Sequence, residues 1–84
     1  MMINNWTFDF VTKIRNQKFI NAFGKRVKEL RKLKGLSQYK LAYEANIDRS
    51  QVIDIENGIV NTTISTAEAL AQALEIQPKE LFDF

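Results

Sequence analysis

The chain contains no cysteine and no histidine among its 84 residues. A disulfide framework, a thiol nucleophile, a zinc site of the usual kind and imidazole acid–base chemistry are therefore excluded by inventory. Carboxylates and lysines without a glycine-rich phosphate loop form no recognisable catalytic set. We therefore expect a protein that is not an enzyme and that holds no metal ion and no cofactor.

Long apolar runs are also missing from the sequence. No stretch of 18 or more apolar residues occurs, and the N-terminus lacks the charged start, apolar stretch and small-residue cleavage site of a signal peptide. We expect a cytoplasmic protein without a membrane partner. With 45% hydrophobic and 26% charged residues the composition is that of an ordinary globular protein, and the length suits one small domain.

The net charge of +2 hides an uneven distribution along the chain. Residues 13–40 carry ten basic groups and one acid, whereas residues 41–84 carry two basic groups and eight acids. A positive region beside a negative one suits a protein that docks on a polyanion in one orientation. The alternative is a solvated helix face that only aids solubility, and charge alone favours that interpretation.

Glycine and proline are so scarce that the sequence predicts short helices rather than hairpins. Phe23, Val27, Leu30 and Leu33 recur at steps of three and four, which predicts an amphipathic helix ended by Gly35. Further helices are expected over residues 38–45, from 49 to about 57, after a cap at either residue 63 or residue 65, and from residue 78. The predicted fold class is all-α, a compact bundle of five helices.

Residues 38–57 carry the spacing of a helix-turn-helix. Ser37 is a good N-cap for the first of the two helices, and Asn46 tolerates the left-handed backbone that a tight corner needs. Apolar residues fill the angle between the helices, and the small Ala42 permits close approach of their backbones. These apolar positions are Leu41, Ala45, Ile47, Val52 and Ile55.

Several short motifs support a family resemblance over about residues 22–84. They are Leu30-Arg31, Gly35-Leu36-Ser37-Gln38, Leu41-Ala42, Glu56-Asn57-Gly58 and Ala71-Gln72-Ala73-Leu74. With these motifs the chain resembles the phage-repressor-like helix-turn-helix proteins, called the XRE family, and is also similar to the controller proteins of restriction–modification systems. The resemblance implies a homodimer on a double-stranded DNA operator, with the third helix in the major groove.

Helical geometry assigns candidate base-reading residues. On the third helix Val52 and Ile55 point to one side, while Ser50, Ile53 and Asp54 point to the other. Arg49 lies at the exposed N-terminal end, and its two-pronged donor group matches guanine O6 and N7. The alternative for Arg49 is pairing with a nearby acid such as Asp48. Asp54 is a departure from the expected pattern, since a carboxylate repels phosphate unless it accepts a hydrogen bond from cytosine.

A second set of residues is predicted to contact phosphates. Gln38 opens the second helix, where the resemblance implies a glutamine that contacts DNA. Gln51 and Asn57 are uncharged hydrogen-bond donors at the two ends of the third helix, called the reading helix below because it carries the candidate base-reading residues. Lys40 is the nearest basic residue on that side. Tyr43 either donates its hydroxyl to a phosphate or packs in the core or an interface.

The resemblance also implies an internal ion pair between Arg31 and Glu56. We expect a partly buried, bidentate salt bridge that ties the first helix to the reading helix. Ile59 and Val60 follow Gly58 where the family usually has a basic residue and a proline, and an exposed apolar pair of this kind suggests a subunit contact.

The predicted division is an N-terminal extension over residues 1–20 and a DNA-binding domain over residues 21–84. The extension is rich in apolar side chains, including Trp6, Phe8 and Phe10. We expect it to form either an extra helix over Leu33 or an arm that pairs with a partner subunit, with a strand over residues 5–11. The alternative function is a protein-interaction module, such as an antitoxin, whose protein partner binds this extension while DNA binding is secondary.

Overall fold

The structure is a computed structural model that describes residues 15–84, and within this range it is all-helical with no strand. Four α-helices run from Gln17–Leu33 (α1), Gln38–Ala45 (α2), Arg49–Glu56 (α3) and Ile64–Leu74 (α4), followed by a 3₁₀ helix at Pro78–Phe82. The all-α class is therefore confirmed for this range. The predicted arm, the predicted strand and the predicted protein-binding role of the extension fall on residues that lie outside it.

Helix α1 begins six residues earlier than its apolar spacing predicted. Asn16 is its N-cap, since the Asn16 Oδ1 accepts a hydrogen bond of 2.9 Å from the backbone N–H of Phe19. Ile20 extends the buried face of Phe23 and Val27 towards the N-terminus. Residues 17–20, which were assigned to the extension, are thus helical, and the proposed division between residues 20 and 21 falls inside α1.

The corner between α2 and α3 forms as the sequence indicates. Ser37 caps α2 by accepting a hydrogen bond from the backbone N–H of Lys40 at 3.0 Å. Asn46 has φ 59° and ψ 44°, a left-handed conformation in which its N–H closes the end of α2 on the carbonyls of Ala42 and Tyr43. The bounds predicted for α2 match the structure, and α3 follows after the turn at residues 46–48.

Over residues 15–84 the structure has four α-helices rather than the predicted bundle of five, because the fifth predicted helix is a short 3₁₀ helix. Pro78 occupies the first turn, and the Glu80 N–H donates to the carbonyl of Gln77, three residues back, at 2.9 Å. Five residues are too few to propagate an α-helical ladder, and short terminal segments tighten in this way. Thr63, rather than Ser65, caps α4 by accepting from the backbone N–H of Thr66.

The core collects buried side chains from all five elements. Its largest fully buried members are Val27, Leu41, Val52, Ile55, Leu70, Leu74 and Leu81. Leu33 is an exception to the predicted pattern, because 77% of it is exposed. At 100° per residue it lies roughly 120° around α1 from Val27, whereas Arg31 takes the inward position. Within residues 15–84 no helix has the length and apolar character needed to cross a membrane.

Candidate nucleic-acid interface

Helix α3 presents one side to the core and leaves its N-terminal end open. Val52 and Ile55 are fully buried, as the periodicity predicted. Arg49 and Ser50 are exposed at the start of the helix, while Ile53 and Asp54 are half-buried on its outer side. Asp48, the residue before the helix, makes no side-chain capping bond. The four candidate base readers therefore differ in accessibility, and the two at the N-terminal end are the most exposed.

The structure brings Arg31 and Glu56 together in a buried, bidentate ion pair. The Arg31 Nε donates to Glu56 Oε2 at 2.6 Å and Nη2 donates to Oε1 at 3.0 Å. The third guanidinium nitrogen donates to the carbonyl of Leu36 at 2.8 Å. Only 1% of the Glu56 side chain is exposed, so each oxygen replaces lost hydration with a bond to protein. The pair fixes the end of α3 against α1.

Gln38 joins this ion pair, which the sequence did not indicate. Its Nε2 donates to Glu56 Oε1 at 3.0 Å. Because a carboxylate without a proton only accepts hydrogen bonds, this contact determines which end of the Gln38 amide faces inward. The side chain predicted to contact a phosphate is therefore oriented by the same carboxylate that anchors α3. The bond forms because α2 and α3 cross close to Gln38 and Glu56. The spacing of residues in the sequence does not predict where the two helices cross.

Lys40 and Tyr43 lie exposed on α2 and interact with each other. The Lys40 Nζ is 5.4 Å from the centroid of the Tyr43 ring, within cation–π range. Lys40 also forms an ion pair of 3.2 Å with Glu44, one turn further along the helix. Both pairings are exposed and weak, so they leave the ammonium group available to an incoming phosphate.

The loop after α3 is held by the beginning of the described chain. The Arg15 Nη2 donates to the carbonyl of Ile59 at 2.6 Å, and the Gln17 Nε2 donates to the carbonyl of Gly58 at 2.7 Å. Sequence reasoning missed both side chains. Ile59 is exposed, but Val60 is half-buried and packs against the core, so the predicted exposed apolar pair is reduced to Ile59.

The remaining phosphate candidates lie at the two ends of α3. Gln51 is half-buried in its first turn, and Asn57 is exposed as its C-cap residue. Within the described range no group of three or more acidic side chains is arranged to hold a metal ion. The chemistry that this surface offers is hydrogen bonding and charge, with an arginine at a helix start and amide and hydroxyl groups around it.

The geometry of α2 and α3 is that of a helix-turn-helix, and a family comparison agrees. The family model described as Helix-turn-helix matches residues 27–81, which is more than half of the chain. The chain therefore belongs to this family of phage-repressor-like, or XRE, proteins.

Three relatives place the chain more closely within the family. It is 41% identical over 63 residues to the control protein C.BamHI of Bacillus amyloliquefaciens, covering 74% of this chain and 78% of that protein. It is 48% identical over 54 residues to the immunity repressor of Bacillus phage phi105, covering 64% of this chain but 38% of the repressor. The crystal structure of the restriction–modification controller protein C.AhdI from Aeromonas hydrophila superposes with a TM-score of 0.74 at 46% identity, covering 75% of this chain and 96% of C.AhdI. All three names describe regulators rather than enzymes.

Proposed function

We propose that this chain is a transcriptional regulator without catalytic activity, which binds a double-stranded DNA operator sequence-specifically as a homodimer. The observation that carries the proposal is the open N-terminal end of α3 on a helix whose other side is buried. A helix held in this way enters the major groove with its first residues against the base edges.

Within this proposal Arg49 is the principal base reader. Its guanidinium is exposed and forms no ion pair with Asp48, Glu44 or any other acid among residues 15–84. A bidentate contact with guanine contributes roughly 1–3 kcal/mol of discrimination. Ser50, which is exposed beside it, bonds to a base or a phosphate. Ile53 and Asp54 are half-buried, so they act only at the edge of the contact, on a thymine methyl and a cytosine amino group respectively.

The phosphate contacts surround this reading end. Gln38 uses one amide hydrogen on Glu56 and keeps the other for a phosphate oxygen. Lys40 and Tyr43 extend the contact along α2, while Gln51 and Asn57 complete it on α3. These contacts fix the register of the protein on the duplex and carry no sequence information of their own.

A homodimer would place two copies of α3 on one face of the duplex. Two-fold symmetry in the protein requires a near-palindromic operator, with half-sites separated by roughly 34 Å, one turn of DNA. The exposed Ile59, beside the end of α3, is our candidate for a subunit contact. Replacement of Ile59 by Glu should lower the mass of the protein in solution if this assignment is right.

The proposal is tested by selecting bound sites from random duplex DNA with the native protein and two variants. Arg49→Ala should relax the preference at one base pair in each half-site, because it removes a base contact. Gln38→Ala should weaken binding to all sequences alike, because it removes a phosphate contact. Lys79→Ala, on the exposed surface of the 3₁₀ helix, removes the same charge as Arg49→Ala and should leave the preference unchanged.

Two results would contradict the proposal. If the native protein selects no common sequence at low salt, it is not an operator-binding regulator. If Arg49→Ala and Gln38→Ala return the same profile of preferred bases, the division between base readers and phosphate contacts is wrong.

A further inference from the structure

An apolar groove lies away from the reading end of α3, between the start of α1, the loop after α3, the start of α4 and the 3₁₀ helix. It encloses a cavity of about 220 Å³. Its largest apolar lining residues are Phe19, Ile20, Phe23, Val60, Ile64 and Phe82. Asn61, Thr62 and Thr63 are its polar lining residues, and no charged residue among residues 15–84 lines it, so an occupant would be held mainly by burial of apolar surface.

The rim of this groove exposes large apolar side chains. Ile64 is 89% exposed, and Phe19 and Phe82 are each about half exposed. The rings of Phe19 and Phe82 stack with centroids 6.2 Å apart, and the ring of Phe84 lies 5.2 Å from that of Phe19. A contiguous cluster of this kind marks a surface on which something binds.

The described part of the chain begins beside the groove. Arg15 is fixed to the loop after α3 by its hydrogen bond to the carbonyl of Ile59, and the next residue in that loop, Val60, lines the groove. Residues 1–14 therefore join the domain at the edge of the apolar cluster. Arg15 follows Trp6 by nine positions in the sequence, a length of chain that spans up to roughly 30 Å when extended.

The composition of residues 1–14 matches the groove. Asp9 and Lys13 are the only charged residues of the segment, and eight of the fourteen are apolar. The apolar residues are Met1, Met2, Ile3, Trp6, Phe8, Phe10, Val11 and Ile14. The match to the family model begins only at residue 27, so this segment is additional to the shared domain.

We propose that residues 1–14 dock in this groove of their own chain, where Trp6 buries its ring among the aromatic side chains of the rim. Attachment at Arg15 makes the docking intramolecular, which gives the segment a high effective concentration at the groove. No residue of α3 lines the groove, so a segment docked there leaves the α3 surface free. The docking proposal can therefore be right or wrong whether or not the protein binds DNA.

Trp6 is the only tryptophan in the chain, so its fluorescence reports directly on the segment. The full-length protein should emit at shorter wavelength than free tryptophan and should resist quenching by acrylamide. Neither property should change on dilution. Ile64→Glu places a charge on the rim of the groove without disturbing the core, and we expect it to shift Trp6 emission to longer wavelength and to abolish the protection from acrylamide.

Leu33→Glu is the matched control, because Leu33 is 77% exposed on the same helix as Phe19 but does not line the groove. It should leave the emission of Trp6 and its quenching unchanged. Thermal unfolding of both variants verifies that each one is folded, since both substitutions lie on the surface.

Four outcomes would overturn the proposal. The first is a native Trp6 that is as readily quenched as free tryptophan. The second is an Ile64→Glu variant, folded by the thermal test, whose Trp6 keeps the native emission. A shift caused by Leu33→Glu would instead place the segment over the end of α1. Protection that disappears on dilution would mean that the occupant comes from a second copy of the chain.

Discussion

The two ends of α3 are held in different ways. At the C-terminal end, Glu56 is bonded to α1 and α2, Arg15 and Gln17 hold the following carbonyls, and the backbone of Gly24 packs directly on the last turn. At the N-terminal end Arg49 and Ser50 are exposed, and even the cap residue Asp48 makes no side-chain bond to the helix.

The contrast indicates that the two ends of α3 have different roles: the C-terminal end fixes the position of the helix, and the N-terminal end carries the exposed candidate base-reading residues. The anchored end fixes where the helix axis lies, because the two bonds between Arg31 and Glu56 are buried and few alternative geometries satisfy them. The side chains exposed at the open end form no hydrogen bond or ion pair with other residues of the range 15–84. Substitutions at the anchored end should therefore change the free energy of unfolding, and substitutions at the open end should change binding alone.

The largest expected effect follows from Glu56→Ala. This substitution leaves the Arg31 guanidinium buried with only the Leu36 carbonyl as a partner, and it also releases Gln38. We expect it to lower the free energy of unfolding by about 3–5 kcal/mol, the usual loss when one member of a buried ion pair is removed. Denaturant unfolding of the native protein and the variant measures this difference.

Two controls make this prediction specific. Glu44→Ala breaks the exposed pair with Lys40 and should lower stability by about 0.5 kcal/mol or less. Arg49→Ala, at the open end, should change it by no more than about 0.5 kcal/mol. If Glu56→Ala destabilised the protein no more than these two surface substitutions, the buried pair would not anchor α3.

Gly24→Ala tests the backbone contact at the same end of α3. A methyl group on Gly24 would overlap the carbonyl oxygen of Ile55 and lie 3.0 Å from that of Glu56, and neither backbone atom can move without shifting the helix. Alanine favours helix by roughly 1 kcal/mol over glycine, whereas forced overpacking usually costs about 1–3 kcal/mol.

We therefore expect a net loss of up to about 2 kcal/mol for Gly24→Ala in thermal or denaturant unfolding. Lys28→Ala is a suitable comparison, since residue 28 is exposed on the same helix and its replacement by alanine introduces no clash. A Gly24 variant that was more stable than the native protein would show that α1 and α3 are not in contact through their backbones.

The smallest effect concerns an ion pair that lies in water. Lys34 donates a hydrogen bond to Glu75 and attracts its charge, which lowers the pKa of Glu75 below its ordinary value of 4.5 despite a small opposing contribution from desolvation. A lowered pKa in the folded state contributes stability above the unfolded value, and this contribution is lost as the pH falls through the folded value.

The melting temperature of the native protein should therefore decline slightly more than that of Glu75→Gln as the pH is taken from above 4.5 to well below it. High salt should remove the difference, because exposed charges are screened. Two melting curves that stay parallel over this pH range would show that Lys34 and Glu75 do not interact in solution.

Local signals explain most of what the sequence predicted correctly. Ser37 and Asn46 bound α2 on both sides, and each acts through bonds to its own neighbours in the chain. The predicted start of α1 at Phe23 is six residues late, although Asn16 is a good N-cap by residue type and Ile20 continues the spacing of the buried face. Pro78 marked the last element correctly, but five residues do not distinguish an α-helix from a 3₁₀ helix.

The contacts that sequence could not supply are those between distant elements. The Arg31 and Glu56 pairing was expected only from the family resemblance. The bond from Gln38 to that pair and the hold of Arg15 on the loop after α3 depend on how three helices cross. The half-burial of Asp54 and Val60 has the same origin, since the sequence around each residue does not show how far a neighbouring element covers it.

The burial of Arg31 beside Glu56 has an electrostatic consequence for the outer surface. A lone carboxylate in a poorly hydrated interior projects a long-range negative potential, because its surroundings screen it weakly. A guanidinium at hydrogen-bond distance turns the two charges into a short dipole, whose potential decays faster with distance than that of a single ion. Gln38 therefore contacts a pair of charges whose sum is close to zero. The carboxylate of Glu56 adds little negative potential at the outer surface, where it would otherwise oppose the approach of a polyanion.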